Sequence, residues 1–211
     1  MHYSLIMVGA HDGSKTQDLV NTCNKYGPCV LIEAVPWIFA KLERLHSHRP
    51  QVVCINEVIS TIDGEVDFFS LPEEARLTNL AADQMGSLLS THATDHEPKL
   101  KSLLTKQTYP SRSFSKLFED LGVSELDLLM TDMEGVDVET LITFPFSILR
   151  PYQIVFEAKH ADGCMALGKK MATLLLLFDA LNYRVSMIGS ENFIAVDTLA
   201  DQSKARVKIH I

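Results

Sequence analysis

"SLIMVGAHDGSKTQ", residues 4 to 17, decides the fold. Leu5 to Val8 form an unbroken apolar run, the pattern of a strand covered on both faces inside a parallel sheet. The run passes without a linker into a turn bounded by Gly9 and Gly13, and a helical pattern follows. Strand, tight glycine turn and helix in that order present backbone N–H groups at a helix start, where nucleotide-like ligands are commonly held.

The unit repeats outward from that stretch. "SKTQDLVNTCNKYG" reads as a helix ended by Gly27, and "CVLIEAV" as a second buried strand. "PWIFAKLERLHSHRP" is a helix with Pro36 in its first turn, followed by the strand "QVVCINEVI". Further on, Ser113 or Ser115 caps the helix of "SFSKLFEDLG", which Gly122 stops. "LDLLMTDMEG" is a buried strand with carboxylates at its end, and "VDVETLITFPFSILRP" a helix. "YQIVFEAKH" is a further strand, "GKKMATLLLLFDALNY" an apolar helix, and "RVSMI" with "FIAVD" an antiparallel hairpin. The expected architecture is α/β: a doubly wound, Rossmann-like sheet of about seven strands, mostly parallel, closed by an antiparallel C-terminal hairpin, with residues 1–211 as one domain.

Three segments stand outside this alternation. "DGEVDFFSL" reads as a hairpin or an edge element beside the sheet. Residues 72–110 are polar and weakly periodic, an excursion expected to cover a site and not to build the core. In the extension 198–211, "KARVKIHI" alternates strictly, as an extra edge strand or a pairing surface for a second copy would; a homodimer is the corresponding expectation.

With 211 residues and 46% hydrophobic content, the chain can bury a full core without disulfides or metals. A net charge of −8 and no visible basic patch argue against a nucleic-acid partner, since a phosphate backbone would be repelled. Cys23, Cys29, Cys54 and Cys164 lack CxxC spacing and suit reduced, buried thiols. No basic segment precedes the first strand, and "MATLLLLFDAL" is far short of the ~20 residues that cross a bilayer. The expectation is a soluble cytoplasmic protein without a membrane partner.

The turn Gly9-Ala10-His11-Asp12-Gly13 places His11 where a dinucleotide-binding loop needs glycine for close approach of a pyrophosphate. A phosphate-free ligand fits better. Glu33, ending the second strand, can accept hydrogen bonds from both hydroxyls of a ribose, and the two features together describe an adenosine-type ligand such as S-adenosylmethionine. The glycine pair alone would carry less, because any strand-to-helix turn can need glycines.

The chain resembles the FkbM-type S-adenosylmethionine-dependent methyltransferases over about residues 5–197. The matching segments are "VGAHDG", "IEAVPWIFAKL", "INEVIS" with "DGEVDFF", "GSLLS", "LDLLMTDMEGVDVETL", "IVFEAKH" and "LNYRVSMIGSENFIAV". The resemblance implies a class I methyltransferase fold with S-adenosylmethionine as cofactor. It implies that Gly9, Ala10, His11, Asp12 and Gly13 wrap the amino-acid end of the cofactor and that Glu33, with Ala34 beside it, holds the ribose. It further implies that residues 56 to 60, Asn56 and Val58 among them, flank the adenine, that Ser87 belongs to the cofactor set, and that Asp132 and Glu134 lie at the mouth near the transferred methyl. Two positions depart from the family's pattern: Met7 stands where an acid is frequent, two before the first glycine, and Met130 where a lysine is frequent, two before Asp132.

Methyl transfer to a hydroxyl needs alignment and removal of one proton, for which Asp132, Glu134 and His160 are the candidates. On an extended segment Asp132 and Glu134 point the same way, so one carboxyl would be raised into a base's range; capping of the following helix is the plainer role for Glu134. Asp132, Glu134, Glu157 and His160 also have hard-ligand chemistry for a divalent ion, but oxygen-rich strand ends are common at clefts and no metal is assigned. His92 and His96, four apart in "HATDH", would ligate a metal only if helical; in a polar stretch they read as solvated. Trp37 reads as packing under the adenine side of the sheet. The expected acceptor is a small molecule or a glycan hydroxyl, the rival reading a non-catalytic member of the same fold motivated by Met7 and Met130.

Overall fold

The computed structural model describes residues 1–163, 165–201 and 205–207. The opening stretch forms β1 (His2–Val8) and, past the turn, α1 (Gln17–Cys23); β2 (Cys29–Ile32), α2 (Pro36–His46) and β3 (Val52–Ile55) follow. The chain then makes β4 (Val58–Ile59), β5 (Gly64–Ser70), α3 (His92–His96) and β6 (Thr105–Arg112). It resumes the alternation with α4 (Phe114–Leu121), β7 (Glu125–Thr131), α5 (Asp137–Ile142), β8 (Gln153–Glu157), α6 (Lys169–Ala180), β9 (Tyr183–Ile188) and β10 (Asn192–Asp197).

Seven strands join in the order β3-β2-β1-β7-β8-β10-β9. Those from β3 to β8 run parallel, while β10 runs antiparallel to both β8 and β9, so the terminal hairpin inserts its second strand against the parallel set. Alternation explains why the strands are apolar throughout. Leu5, Met7, Leu31 and Leu128 pack on one face, while Ile6, Val8, Ile32, Leu129 and Phe156 pack on the other. The strand order turns back between β1 and β7, and at such a switch point the strand ends part to leave a crevice.

Local signals bound α4 where expected, whereas α1 stops at Cys23, four residues before Gly27. Ser113 Oγ accepts the Lys116 N–H at 3.2 Å at the start of α4, and Gly122, at φ +61°, takes the left-handed turn after it.

The middle of the chain departs from the expectation. β5 is not an edge element of the main sheet: it pairs antiparallel with β6 along its whole length, and β4 joins β6 in parallel, making a separate three-stranded sheet. Phe68 against Tyr109, with ring centroids 5.2 Å apart, fixes that distant pairing. The supposedly irregular stretch 72–110 therefore ends in strand. The rest of it folds into short helical turns over a small core of Leu71, Ala75, Ala82, Ala93 and Leu100. Trp37 packs beside Phe68 and Val58, its Nε1–H donating to the Leu71 carbonyl at 3.2 Å.

The alternating tail "KARVKIHI" lies mostly outside the described residues, Ala205 to Val207 excepted. There, the N–H groups of Arg206 and Val207 donate to the buried Asp127 carboxylate at 3.2 and 3.3 Å. Among the described residues no helix is long and apolar enough to cross a membrane.

Candidate active site

A cavity opens at the switch point. Its floor is the turn after β1, from Val8 to Gly13; its far wall is the end of β2, Ile32 to Val35; and Glu57, Val58, Ile59 and Phe68 close one side. Asp132, Met133, Glu134 and Val136 close the other, and Asp83, Gln84, Gly86 and Leu88 come over it from the excursion. Gly9 has φ +76°, and a Cβ there would lie 1.8 Å from the Asp132 carbonyl oxygen, so only glycine lets the β1 and β7 ends meet. His11 also takes a left-handed conformation, at φ 52°.

Glu33 braces this turn. Its Oε2 accepts from the His11 N–H at 3.0 Å and its Oε1 from the Val35 N–H at 2.8 Å, tying the glycine loop to the start of α2. Burial pushes its carboxyl above the usual range, against the pull of those N–H donors. Asn56 stands behind the wall: its Nδ2 donates to the carbonyls of Glu33 and Ala34 at 2.8 and 2.9 Å. Ser87 is likewise one layer back, its Oγ donating to the Glu134 carbonyl at 2.8 Å, while its neighbours Gly86 and Leu88 line the cavity. Ala34 and Val58 are on the wall itself.

Beyond Asp132 the ends of β7 and β8 gather carboxylates. Burial raises the Asp132 carboxyl; burial and then the Asp132 charge push Glu134 up to about 8; burial and Asp132 push Glu157 up to about 7. Glu134 does not cap α5. It adopts φ 50°, and its Oε2 lies 2.9 Å from His92 Nε2, while the buried Asp137 accepts the Met133 N–H. Lys159 bridges Glu157 and Glu191 at 2.8 and 2.9 Å. His160 is buried off the cavity; burial first, then His92 and His96, lower its pKa to about 4. Its Nδ1 accepts the Met165 N–H at 3.2 Å, so the neutral ring carries its proton on Nε2. The expectation of solvation does not hold for His92, which is buried; His96 stays accessible to solvent, and both rings pack edge-on against His160.

The methyltransferase FkbM domain matches residues 8–185. The chain belongs to the FkbM methyltransferase family. No curated protein matches it in sequence. Among solved structures it is similar to Aeropyrum pernix fibrillarin in complex with S-adenosyl-L-methionine, with TM-score 0.51 and 10% identity over 92% of this chain and 66% of that one. It is also similar to a putative caffeoyl-CoA O-methyltransferase from Staphylococcus aureus, with TM-score 0.50 and 7% identity over 92% of this chain and 76% of that one. At such identities these likenesses show the fold: a class I methyltransferase sheet. The chain spans about two-thirds of the length of the fibrillarin.

S-adenosylmethionine, the cofactor of this family and fold, fits the residues present. The Gly9 cradle would be filled by any Cβ, Glu33 brings a carboxylate to the wall, and Val58, Ile59, Phe68 and Leu88 offer an apolar slot for a flat base. Buried His11 Nε2 has no hydrogen-bond partner among the described residues. Met7 and Met130 are register partners across β1 and β7 and sit in the same apolar core, so the two departures from the family pattern meet at one place in the sheet.

The sequence reading missed Phe68, Asp83, Gln84 and Lys159. Lys159 was within reach of it, because alternate residues of an extended segment share a side and Glu157 is two positions away. Asp83 and Gln84 sit in a short helical turn with no periodic signal.

Proposed function

We propose that this FkbM methyltransferase transfers a methyl group from S-adenosylmethionine to a hydroxyl of a small molecule or sugar. The observation that carries the reading is the group of raised carboxyls at the ends of β7 and β8, Glu134 at about 8 and Glu157 at about 7, beside the cavity. A hydroxyl acceptor must lose a proton as its oxygen takes the methyl, and a carboxylate with raised affinity for that proton is matched to the task near neutral pH. Asp132, on the cavity wall, adds negative charge beside the reacting centre and keeps Glu134 raised. His160 fits the base role less well, since accepting a second proton would make a buried cation.

Bound at the glycine turn, the cofactor supplies a methyl group on a positively charged sulfur. The turn from Gly9 to Gly13 and Glu33 would hold it, and the residues over the cavity, Asp83 to Leu88, would exclude water from the reacting centre. The charge of −8 supports an acceptor other than nucleic acid, and the free thiols of Cys23, Cys29 and Cys54 support a reducing cytoplasmic setting.

Calorimetric titration with S-adenosylhomocysteine tests the cofactor site: saturable binding is expected in the wild type and its loss in Glu33→Ala. Methyl transfer to a panel of sugars and small alcohols, but not to amines of matching shape, supports the hydroxyl reading; the reverse preference overturns it. Deletion of residues 203–211 with no change of mass in light scattering overturns a homodimer built through the tail.

A further inference from the structure

One cluster lies behind Glu134 and is not itself used by this mechanism. His92 and His96 lie four apart on α3, so both rings leave the same side of that short helix, and His160 follows the end of β8. The ring centroids are 4.9 Å apart for His92 and His96, 5.0 Å for His92 and His160, and 4.6 Å for His96 and His160. One ring nitrogen from each lies within 4.8 Å of the others. Two of the rings are buried, and His160 Nε2 is a buried polar atom without a partner among the described residues. Two buried imidazoles with a third closing over them from the surface are not apolar packing, since a buried polar atom without a partner is costly.

We propose that His92, His96 and His160 form a binding site for a divalent transition-metal ion of the zinc class, which clamps α3 to the segment after β8. Imidazole nitrogens select zinc, cobalt or nickel over magnesium and calcium, which prefer oxygen. The second nearby set, Glu134, Glu157 and His160, is the weaker alternative, because Lys159 already holds Glu157 Oε1 at 2.8 Å. Glu134, 2.9 Å from His92 Nε2, is placed to take that ring's proton, as carboxylates behind metal-bound histidines do, leaving Nδ1 of His92 as the ligating atom.

Gly135 leaves room for the closure: a Cβ on it would lie 3.4 Å from His92 Nδ1 and 3.6 Å from the His160 Cβ. All three rings are held in the neutral, ligating form, by burial first. The carboxylates acting on them, Asp95, Asp132, Glu157 and Glu191, outnumber the single cation Lys159. For His160 to ligate through Nε2, the proton moves from Nε2 to Nδ1 and the 3.2 Å bond from the Met165 N–H is given up. One neutral hydrogen bond is lost and a metal–nitrogen bond gained.

The test uses the untagged full-length protein and zinc or cobalt alone, so it does not depend on knowing an acceptor. The expected result is one zinc per chain by calorimetry and a cobalt derivative with d–d bands in the visible. His96→Ala should weaken zinc binding by about tenfold or more, and His160→Gln should abolish the cobalt bands. His48→Ala, at an exposed position two residues past α2, should match the wild type. Zinc that fails to bind the wild type stoichiometrically, or binds His96→Ala and His160→Gln as tightly as the wild type, overturns the site; magnesium binding in place of zinc overturns the donor set. Should His160→Gln not fold, the wild-type cobalt spectrum and His96→Ala, at a half-buried position, decide alone. S-adenosylhomocysteine titration of the same samples keeps this outcome separate from that of the cofactor site.

Discussion

The two sides of the cleft are built on opposite terms. On the cofactor side the loop is braced from within: both oxygens of Glu33 take backbone N–H groups, and the Gly9 and Ala10 N–H groups donate to the Ile32 carbonyl at 3.0 and 2.9 Å. On the far side, past Asp132, carboxyls crowd one another, and Glu157 Oε2 and His160 Nε2 are buried without partners among the described residues. A preorganised half holds a ligand in one geometry. A half with raised acids and unspent hydrogen-bonding capacity is where protons move or ions bind.

The largest effect is expected at the seam between the halves. Gly9→Ala would drive a Cβ to within 1.8 Å of the Asp132 carbonyl and force alanine into a left-handed conformation. A loss of about 4 kcal/mol or more is expected in chemical denaturation, with no measurable S-adenosylhomocysteine binding. A mild Gly9→Ala phenotype would show that the two strand ends part easily, and the contrast between the halves would lose its boundary.

Met7 and Met130 probe the same seam more gently. Met7→Asp places a lone charge on a side chain that is 2% exposed, and about 3 kcal/mol of stability should be lost. Adding Met130→Lys across the register should restore a sizeable part of it, and a double-mutant cycle measures how much. Strict additivity of the two changes would mean that the methionines are independent losses and not one exchange.

What was legible in the sequence follows from where the partners are. Glu33 and the turn from Gly9 to Gly13 are built from residues a short distance apart, and the strands announce themselves as apolar runs, so that half of the site and the main sheet could be read directly. β6, "TKQTYPSR", has no such run; it is a strand because β5 lies along it, a pairing that local pattern does not encode. His92 read as solvated because its neighbours in sequence are polar, whereas its burial comes from Glu134 and His160, far along the chain. The side chains of Asn56 and Ser87 turn to carbonyls behind the cavity wall, since which way a short polar side chain turns depends on the carbonyls that wait for it.

Glu33 separates ligand holding from stability through its protonation. The carboxyl is raised by burial, so the folded chain binds this proton more tightly than the unfolded chain does. Acidification through the raised pKa towards the ordinary value of 4.5 should therefore add stability while it removes the anion that accepts from a ribose. Affinity for S-adenosylhomocysteine should fall by up to about tenfold per pH unit across that window, and Glu33→Gln should abolish the slope along with most of the affinity. Calorimetry at several pH values reads both, and a slope unchanged in Glu33→Gln would move the titrating group elsewhere.

The smallest effect belongs to the cover over the cofactor side. Asp83 reaches the glycine turn only through side chains: its Oδ2 lies 3.6 Å from His11 Nε2 and 3.3 Å from Arg76 Nε. Arg76 is partly solvated, with 44% of its side chain exposed, so solvent and salt screen its charge. Arg76→Ala should accordingly change thermal stability by no more than about 0.5 kcal/mol and S-adenosylhomocysteine affinity by about twofold to threefold, the difference fading in high salt. Asp83→Asn should act in the same direction, because both changes loosen one contact of the cover and leave the Glu33 brace intact. If Arg76→Ala instead abolished binding, the cover would be part of the preorganised half, and the division of the cleft would have to be redrawn to include residues 76–88 with β1 and β2.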